Sequence, residues 1–230
     1  MACANISRAV RYVSKNHFGS SLPDVVSKSG WDGAWRAGVT PWETGAAAPA
    51  LVALLASAVL PPGAALVPGC GSGADVVAIA RTGRDVLGAD VAPTAVAAAT
   101  RALSAEPPAV RARARVVVAD VLAAASVEKD YAVIWDYTFL AALEPSARHA
   151  WAAAMRRLLR PGGAGAGQLV TLLFPVGDFP GGPPFSVKPA ALRALLAGEG
   201  FDCLDERALR ADESFAPRAG REVLMRWALK

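Results

Sequence analysis

The chain has 230 residues and a mass of 23.6 kDa, and 53% of its residues are hydrophobic and 19% charged. This composition excludes a disordered chain, and the length fits one α/β domain with a single core. The formal net charge of +4 is a modest surplus, and neither arginine cluster, at 111–115 or 156–160, is interleaved with aromatic residues as a single-strand nucleic-acid groove would be. We therefore predict no nucleic-acid partner.

The cysteine content and the hydropathy of the sequence indicate the cellular compartment. Cys3, Cys70 and Cys203 are widely separated and lack CxxC spacing, so we predict neither a metal site nor a disulfide framework. No apolar run reaches the ~18 residues of a membrane span, and no secretory segment is recognisable. We expect a soluble, cytoplasmic protein without a membrane partner, as a monomer or weak homo-oligomer.

The first 29 residues form a basic segment. Arg8, Arg11 and Lys15 precede the first acid, Asp24. This composition is typical of an organellar transit peptide and also of an N-terminal helix with basic residues; we favour the helix and leave import open. The chain is therefore divided into a helical segment, 1–29, and one main domain, 30–230.

Three of the six tryptophans lie close together in a segment punctuated by glycine and proline. Trp31 and Trp35 are four positions apart and share one face of a helical turn, while Pro41 sets Trp42 in a loop. Core or surface packing is the alternative, but such a segment is a poor place for three large packing rings. We predict that they form a lid over a pocket.

A strand, a tight turn and a helix follow. An apolar run at 64–67 ends in Gly69, Gly71 and Gly73, and a helix is predicted over 72–81. Glycines suit a turn with positive φ against which a cofactor lies, because they carry no Cβ. The sequence therefore predicts a nucleotide-binding turn.

Strand and helix signals alternate through the rest of the chain. The predicted strands are 85–89, 115–119, 131–135, 168–174, 201–209 and 222–229, and the predicted helices are 49–60, 94–103, 145–159 and 189–197, with an antiparallel turn-around at 207–221. This alternation indicates a mostly parallel sheet covered on both faces. Asp90, Asp120 and Asp136 follow strand ends, where a ligand of such a sheet binds, and we expect them to mark the rim of its site.

Two cofactors fit the turn. The sequence GCGSGA at 69–74 matches the dinucleotide fingerprint G-x-G-x-x-A, with Asp90 at the spacing of the ribose-binding acid. The same residues fit the glycine turn and ribose carboxylate of an S-adenosylmethionine-dependent methyltransferase. The turn alone leaves both open.

Other segments carry a resemblance to a known family. They are WDGAW at 31–35, TPW at 40–42, LVPGCGSG at 66–73, VLGAD at 86–90, DYTF at 136–139, LEP at 143–145 and FPVGDFPGGPPF at 174–185. Through these segments, residues 30–230 resemble the thiol and halide methyltransferases, a branch of the thiopurine methyltransferase family. The most specific features are Pro68, where most methyltransferases carry an acid, and the GGPP segment.

This resemblance implies a Rossmann-like class I methyltransferase fold: a mostly parallel seven-stranded sheet with helices on both faces and one antiparallel edge strand. It implies S-adenosyl-L-methionine as the cofactor, and site residues as follows: Trp31, Trp35 and Trp42 in the lid, Gly69, Gly71 and Gly73 at the methionine moiety, Asp90 at the ribose, Asp120 and Val121 at the adenine, and Tyr137 near the methyl donor. The alternatives are a helix cap for Asp120 and an ordinary sheet-end aromatic for Tyr137.

Methyl transfer to an anion needs no general base, so catalysis rests on alignment and on the exclusion of water, which aromatic walls serve. Tyr137 and Phe174 are the candidate catalytic residues. The resemblance implies that Phe174 and Phe185 stand where some halide-methylating members carry tyrosines, and the missing hydroxyls remove donors to a strongly hydrated anion. We predict that iodide, bisulfide, thiocyanate and small thiols are better substrates than chloride.

The predicted function is therefore transfer of a methyl group from S-adenosylmethionine to a small anionic or thiol nucleophile. Three alternatives stay open: a thiopurine-like or other small-molecule S-methyltransferase, an NAD-dependent oxidoreductase that uses the same turn, and a binding protein without activity.

Overall fold

A computed structural model describes residues 21–123, 127–128, 130–163 and 165–230. Its helices are α1 (Leu22–Arg36), α2 (Pro49–Ala56), α3 (Ala74–Arg81), α4 (Pro93–Ser104), α5 (Pro108–Arg111), α6 (Phe139–Ala142), α7 (Arg148–Leu158) and α8 (Pro189–Gly198). Its strands are β1 (Ala65–Pro68), β2 (Val86–Asp90), β3 (Ala114–Val118), β4 (Val133–Tyr137), β5 (Gln168–Leu173), β6 (Phe201–Ala208) and β7 (Val223–Leu229). None of these helices is both long and apolar enough to cross a membrane.

All seven strands form one sheet in the order β3-β2-β1-β4-β5-β7-β6. The pairs from β3 to β5 are parallel, whereas β7 pairs antiparallel with both β5 and β6. The predicted fold class is confirmed: antiparallel pairing is confined to one side of a mostly parallel sheet. The reversed strand is β7, which lies one position inside the edge strand β6.

Two apolar layers cover the sheet, because alternate residues of each central strand point to opposite faces. Leu66 of β1 and Ile134 of β4 belong to a core cluster with α7 and α8. Val67 and Trp135, their neighbours in sequence, belong to a second cluster with α2 and α3. Strands buried on both faces explain the nearly continuous apolar runs in the sequence.

Asp136 differs from the expectation that it marks a ligand rim. The side chain is 2% exposed, its Oδ2 accepts a 2.8 Å hydrogen bond from Nε1 of Trp151, and its Oδ1 accepts one of 3.1 Å from the Leu140 amide. Burial raises the pKa of Asp136 to about 6. This carboxyl group therefore accepts hydrogen bonds from a buried indole and from the first turn of α6.

Element boundaries depart from the predictions at a few places. The predicted helix 145–159 begins with a 3-10 turn at Pro145–Ala147 before α7, and the predicted helix 49–60 ends at Ala56. The short helices α5 and α6 are not predicted. The predicted basic helix lies mostly in residues 1–20, outside the described residues, and the proposed boundary at residue 30 falls within α1, where Gly30 has a φ of 67°.

Candidate functional site

A cavity lies at the carboxyl ends of the parallel strands, where an open α/β sheet binds its ligands. Its volume is about 290 Å³, near the lower end of the roughly 300–1,000 Å³ typical of small-molecule sites. Eight of the predicted site residues line it: Trp31, Trp35, Trp42, Gly69, Asp90, Asp120, Val121 and Phe174. The remaining three, Gly71, Gly73 and Tyr137, do not.

The first glycine of the turn borders this cavity, and the other two do not. Gly69 lines it with a φ of +60°, and a Cβ there would lie 2.7 Å from the ring of Phe139. Gly73 instead serves helix packing, because a Cβ at this position would lie 2.8 Å from Cβ of Ala99 and would keep α3 and α4 apart. Gly71 lines a second, smaller cavity and donates its amide to Asp90.

The three tryptophans form one aromatic cluster above the turn. Trp31 and Trp35 lie on α1, and each meets the Trp42 ring edge to face, with centroid distances of 5.4 Å and 6.0 Å. All three are half-buried and line the cavity. A hydrogen bond connects this end of α1 to the start of α4. The Oδ1 of Asp32 accepts it from the amide of Thr94, at 2.9 Å.

Two acids lie on the β2 and β3 side of the cavity. Asp90 ends β2, and its two oxygens accept hydrogen bonds from the amides of Gly71 (3.0 Å) and Ala92 (2.9 Å). Burial raises the pKa of Asp90. Asp120 is exposed, and it accepts a 2.9 Å hydrogen bond from the Leu122 amide. Val121, the residue between Asp120 and Leu122, is only 2% exposed. Asp120 therefore makes a local hydrogen bond within a turn and also lines the cavity.

Arg218 lies on the opposite, β4 and β5 side and was missed by sequence reasoning. Although charged, it is only 2% exposed, and it lines both cavities. Its guanidinium carbon lies 4.7 Å from the ring centroid of Phe174, 4.9 Å from that of Tyr137 and 5.8 Å from that of Phe215. Among the residues that the structure describes, no carboxylate oxygen lies within 4.0 Å of it.

Tyr137 and Phe174 are brought together by this arginine, but they face different spaces. Phe174 is 5% exposed and lines the larger cavity, whereas Tyr137 lines the smaller one. The Tyr137 hydroxyl donates a 2.6 Å hydrogen bond to the buried Glu222, which also accepts from Ser214. Burial raises the pKa of Tyr137 well above its usual value, and Arg218 opposes that shift.

Comparison with known proteins places this architecture in a family. The model of the thiopurine S-methyltransferase family matches residues 26–226. The chain is 37% identical over 223 residues to a probable thiol methyltransferase 2 of Arabidopsis thaliana, covering 97% of this chain and 95% of the relative. It is 38% identical over 209 residues to thiocyanate methyltransferase 1 of Brassica oleracea, covering 90% and 87%.

Solved structures with low sequence identity share the fold. A didemethyltoxoflavin N1-methyltransferase of Burkholderia thailandensis with bound S-adenosylhomocysteine has a TM-score of 0.66 and 22% identity, with 98% of each chain covered. The glycopeptide N-methyltransferase MtfA with S-adenosylmethionine has a TM-score of 0.65 and 18% identity, with 82% of this chain and 96% of that one covered. The chain belongs to the thiopurine S-methyltransferase family, as its sequence segments predict, and is an S-adenosylmethionine-dependent methyltransferase.

Proposed function

We propose that this protein transfers the methyl group of S-adenosylmethionine to a small nucleophilic anion or thiol, such as thiocyanate, bisulfide or iodide, bound beside Arg218. The observation that carries the proposal is a buried guanidinium in the cavity wall that has no carboxylate oxygen within 4.0 Å among the described residues and interacts only at longer range with the buried Asp75. A buried charge of this kind calls for a counterion. An anionic substrate supplies one, and the names of the relatives in Arabidopsis and Brassica agree.

The described residues fit the cofactor along the other side of the cavity. Asp90 offers carboxylate oxygens to ribose hydroxyls, and Val121 and Asp120 offer an apolar wall and an acceptor to the adenine. The backbone at Gly69 is open to close approach because no Cβ intervenes. The faces of Trp31, Trp35 and Trp42 suit a cationic sulfonium, with an attraction of roughly 0.5–2 kcal/mol for each desolvated contact.

When bound, the cofactor supplies an electrophilic methyl group, and the chain's own residues hold the nucleophile. Arg218 replaces part of the water shell of the anion with its N–H donors, which are fixed by the surrounding rings. Phe174 walls the same space with an apolar ring and gives no hydroxyl. An environment of this kind favours soft, weakly hydrated nucleophiles over chloride.

The direct test is a headspace gas-chromatography assay of the full chain with S-adenosylmethionine and each of thiocyanate, bisulfide, iodide and chloride. Methylation of 6-mercaptopurine is followed in parallel by liquid chromatography. We expect volatile products from thiocyanate, bisulfide and iodide at rates well above that from chloride. Efficient methylation of the thiopurine with no volatile product would support the alternative, and no turnover of any substrate would support a binding protein.

We also propose that the protein acts in the cytoplasm as a monomer or weak homo-oligomer, without nucleic acid. The two cysteines among the described residues, Cys70 and Cys203, are both free thiols, in keeping with a reducing compartment. Size-exclusion chromatography with light scattering tests the oligomeric state.

A further inference from the structure

A side chamber adjoins the larger cavity. It has a volume of about 60 Å³ and lies between the lid loop, residues 42–46, and the glycine turn. Trp42, Gly69, Thr138 and Arg218 line both spaces, so the chamber opens onto the proposed cofactor site. One acid of the lid loop, Glu43, lines the chamber and not the larger cavity.

The Glu43 carboxylate reaches across from the lid loop to the turn. Its Oε1 accepts a 3.4 Å hydrogen bond from the Ser72 amide, and its Oε2 accepts a hydrogen bond from the Ser72 hydroxyl. A Cβ on Gly71 would lie 2.5 Å from Oε1, so the carboxylate can occupy this place because residue 71 is glycine. Glu43 is thereby held beside the backbone at which the cofactor's amino-acid end is proposed to bind.

The Glu43 carboxylate has no cation beside it among the residues that the structure describes. Burial and the neighbouring Asp90 raise the pKa of Glu43, while hydrogen bonds from Ser72 and Trp42 act in the other direction. In the described part of the chain, no lysine or arginine nitrogen lies within 4.0 Å of its carboxylate. A half-buried carboxylate with hydroxyl and amide donors on one side is a suitable partner for a cation with N–H groups.

We infer that Glu43 binds the α-ammonium group of the cofactor through its carboxylate, so that the lid loop recognises the amino-acid end of S-adenosylmethionine. The cofactor carries two cationic groups, and their chemistry separates them. The ammonium has three N–H donors, which carboxylate oxygens accept, whereas the sulfonium has none and suits the tryptophan faces. The inference rests on the cofactor placement in the proposed function.

Ligands that lack the sulfonium charge, or the whole amino-acid end, test this assignment. S-adenosylhomocysteine has the ammonium but no sulfonium, and 5′-methylthioadenosine has neither. The affinities of these two ligands and of S-adenosylmethionine for the wild-type chain and for Glu43→Gln are measured by isothermal titration calorimetry, with quenching of tryptophan fluorescence as a second readout. We expect Glu43→Gln to weaken S-adenosylhomocysteine binding by about tenfold or more and to change 5′-methylthioadenosine binding by less than about twofold.

Two variants serve as controls. Glu144→Gln removes the same charge from an exposed position and should leave both affinities unchanged. Ser72→Ala removes the hydroxyl bond to Glu43 but keeps the carboxylate, and should give a smaller loss than Glu43→Gln. Equal losses for both ligands in Glu43→Gln would mean that the variant distorts the lid, and would overturn the inference.

Two other outcomes are separable. If Glu43→Gln weakens only S-adenosylmethionine and leaves S-adenosylhomocysteine unchanged, the carboxylate faces the sulfonium and the inference is wrong. If the wild-type chain binds neither S-adenosyl ligand, the proposed cofactor placement fails first, before the role of Glu43 is reached.

Discussion

Trp42 and Arg218, 176 positions apart in sequence, are joined by a 2.7 Å hydrogen bond from Nη2 of the arginine to the carbonyl oxygen of the tryptophan. This bond ties the lid loop to the segment between β6 and β7. Because the same guanidinium also contacts Phe174 and Tyr137, one side chain links the lid to the proposed acceptor pocket. We therefore expect a change in the lid loop to alter the proposed acceptor pocket as well.

The charge of Arg218 should determine the affinity for an anionic acceptor. Arg218→Lys and Arg218→Met both lose the planar group that reaches Trp42, so their difference reports on charge. We expect the KM for thiocyanate to rise by about tenfold or more in Arg218→Met, and by less in Arg218→Lys. Steady-state kinetics provide the measurement, with Arg101→Met on the exposed face of α4 as the control. Equal KM values in the two Arg218 variants would contradict an electrostatic role.

Phe174 should set the preference among halides. Phe174→Tyr adds one hydroxyl to a ring that lines the cavity, and a hydroxyl can donate a hydrogen bond to a strongly hydrated anion. The ratio of chloride to iodide turnover should rise several-fold in this variant. Headspace gas chromatography with both halides in separate reactions gives the ratio, and an unchanged or lower ratio would refute this explanation.

Asp90 should contribute to cofactor binding both directly and through the turn. Its oxygens hold the amides of Gly71 and Ala92, so Asp90→Ala removes a ligand partner and also loosens the glycine turn. We expect S-adenosylhomocysteine affinity to fall by about 1–3 kcal/mol, measured by calorimetry. Asp85→Ala, at an exposed acid just before the same strand, is the matched control and should leave affinity unchanged.

Gly73 should be needed for packing more than for ligand contact. Gly73 and Gly83 have nearly equal φ values of +83° and +84°, but a Cβ at Gly73 meets Ala99 at 2.8 Å and one at Gly83 meets nothing within 4 Å. An alanine costs about 1–2 kcal/mol at either site through its backbone conformation. Gly73→Ala should lower the free energy of unfolding by about 1–3 kcal/mol more than Gly83→Ala, because it overpacks the α3–α4 contact. Urea denaturation compares them, and equal losses would show that the helices move apart freely.

Asp136 should make stability depend on pH in the mildly acidic range. Its folded-state pKa of about 6 lies above the ordinary value of 3.8, so the folded protein binds a proton more tightly. The stabilisation is fully present below pH ~4 and is lost as the pH rises through about 6. At about 1.4 kcal/mol per pKa unit, the full effect is roughly 3 kcal/mol.

The variant Asp136→Asn isolates this effect because asparagine does not titrate. Urea denaturation of both proteins at pH 7, 5.5 and 4 should show the wild type gaining stability relative to the variant as the pH falls. A difference that stays constant with pH would mean that Asp136 keeps its charge in the core.

The order of the central elements was predictable because β1, β2, β4 and β5 are compact apolar runs and most of the turns between elements carry glycine or proline. The cavity edge was predictable for the same reason, since Gly69 and Asp90 each follow a strand and parallel strands end on one side. Local pattern could not separate Asp136 from Asp90. Both follow a strand, but Trp151, which buries Asp136, comes from a helix later in the chain.

Arg218 and Glu43 show the other limit of sequence reasoning. Arg218 follows Pro217 in a segment predicted only as a turn-around, and nothing local distinguishes it from the exposed Arg210. Its burial depends on Phe174, Tyr137 and Phe215, three rings that come together only in the folded sheet. Glu43 lies beside a predicted lid residue, but its position depends on Ser72, 29 positions away.

The bond between Trp42 and Arg218 has a consequence for the growing chain. Synthesis proceeds at about 5–20 residues per second, so the 176 positions between the two residues correspond to roughly 9–35 s on the ribosome. Throughout that interval the segment that contains Trp42 has been synthesised, whereas Arg218, its hydrogen-bond donor, has not. The tie across the cofactor cavity is thus made late, after most of the sheet has been synthesised.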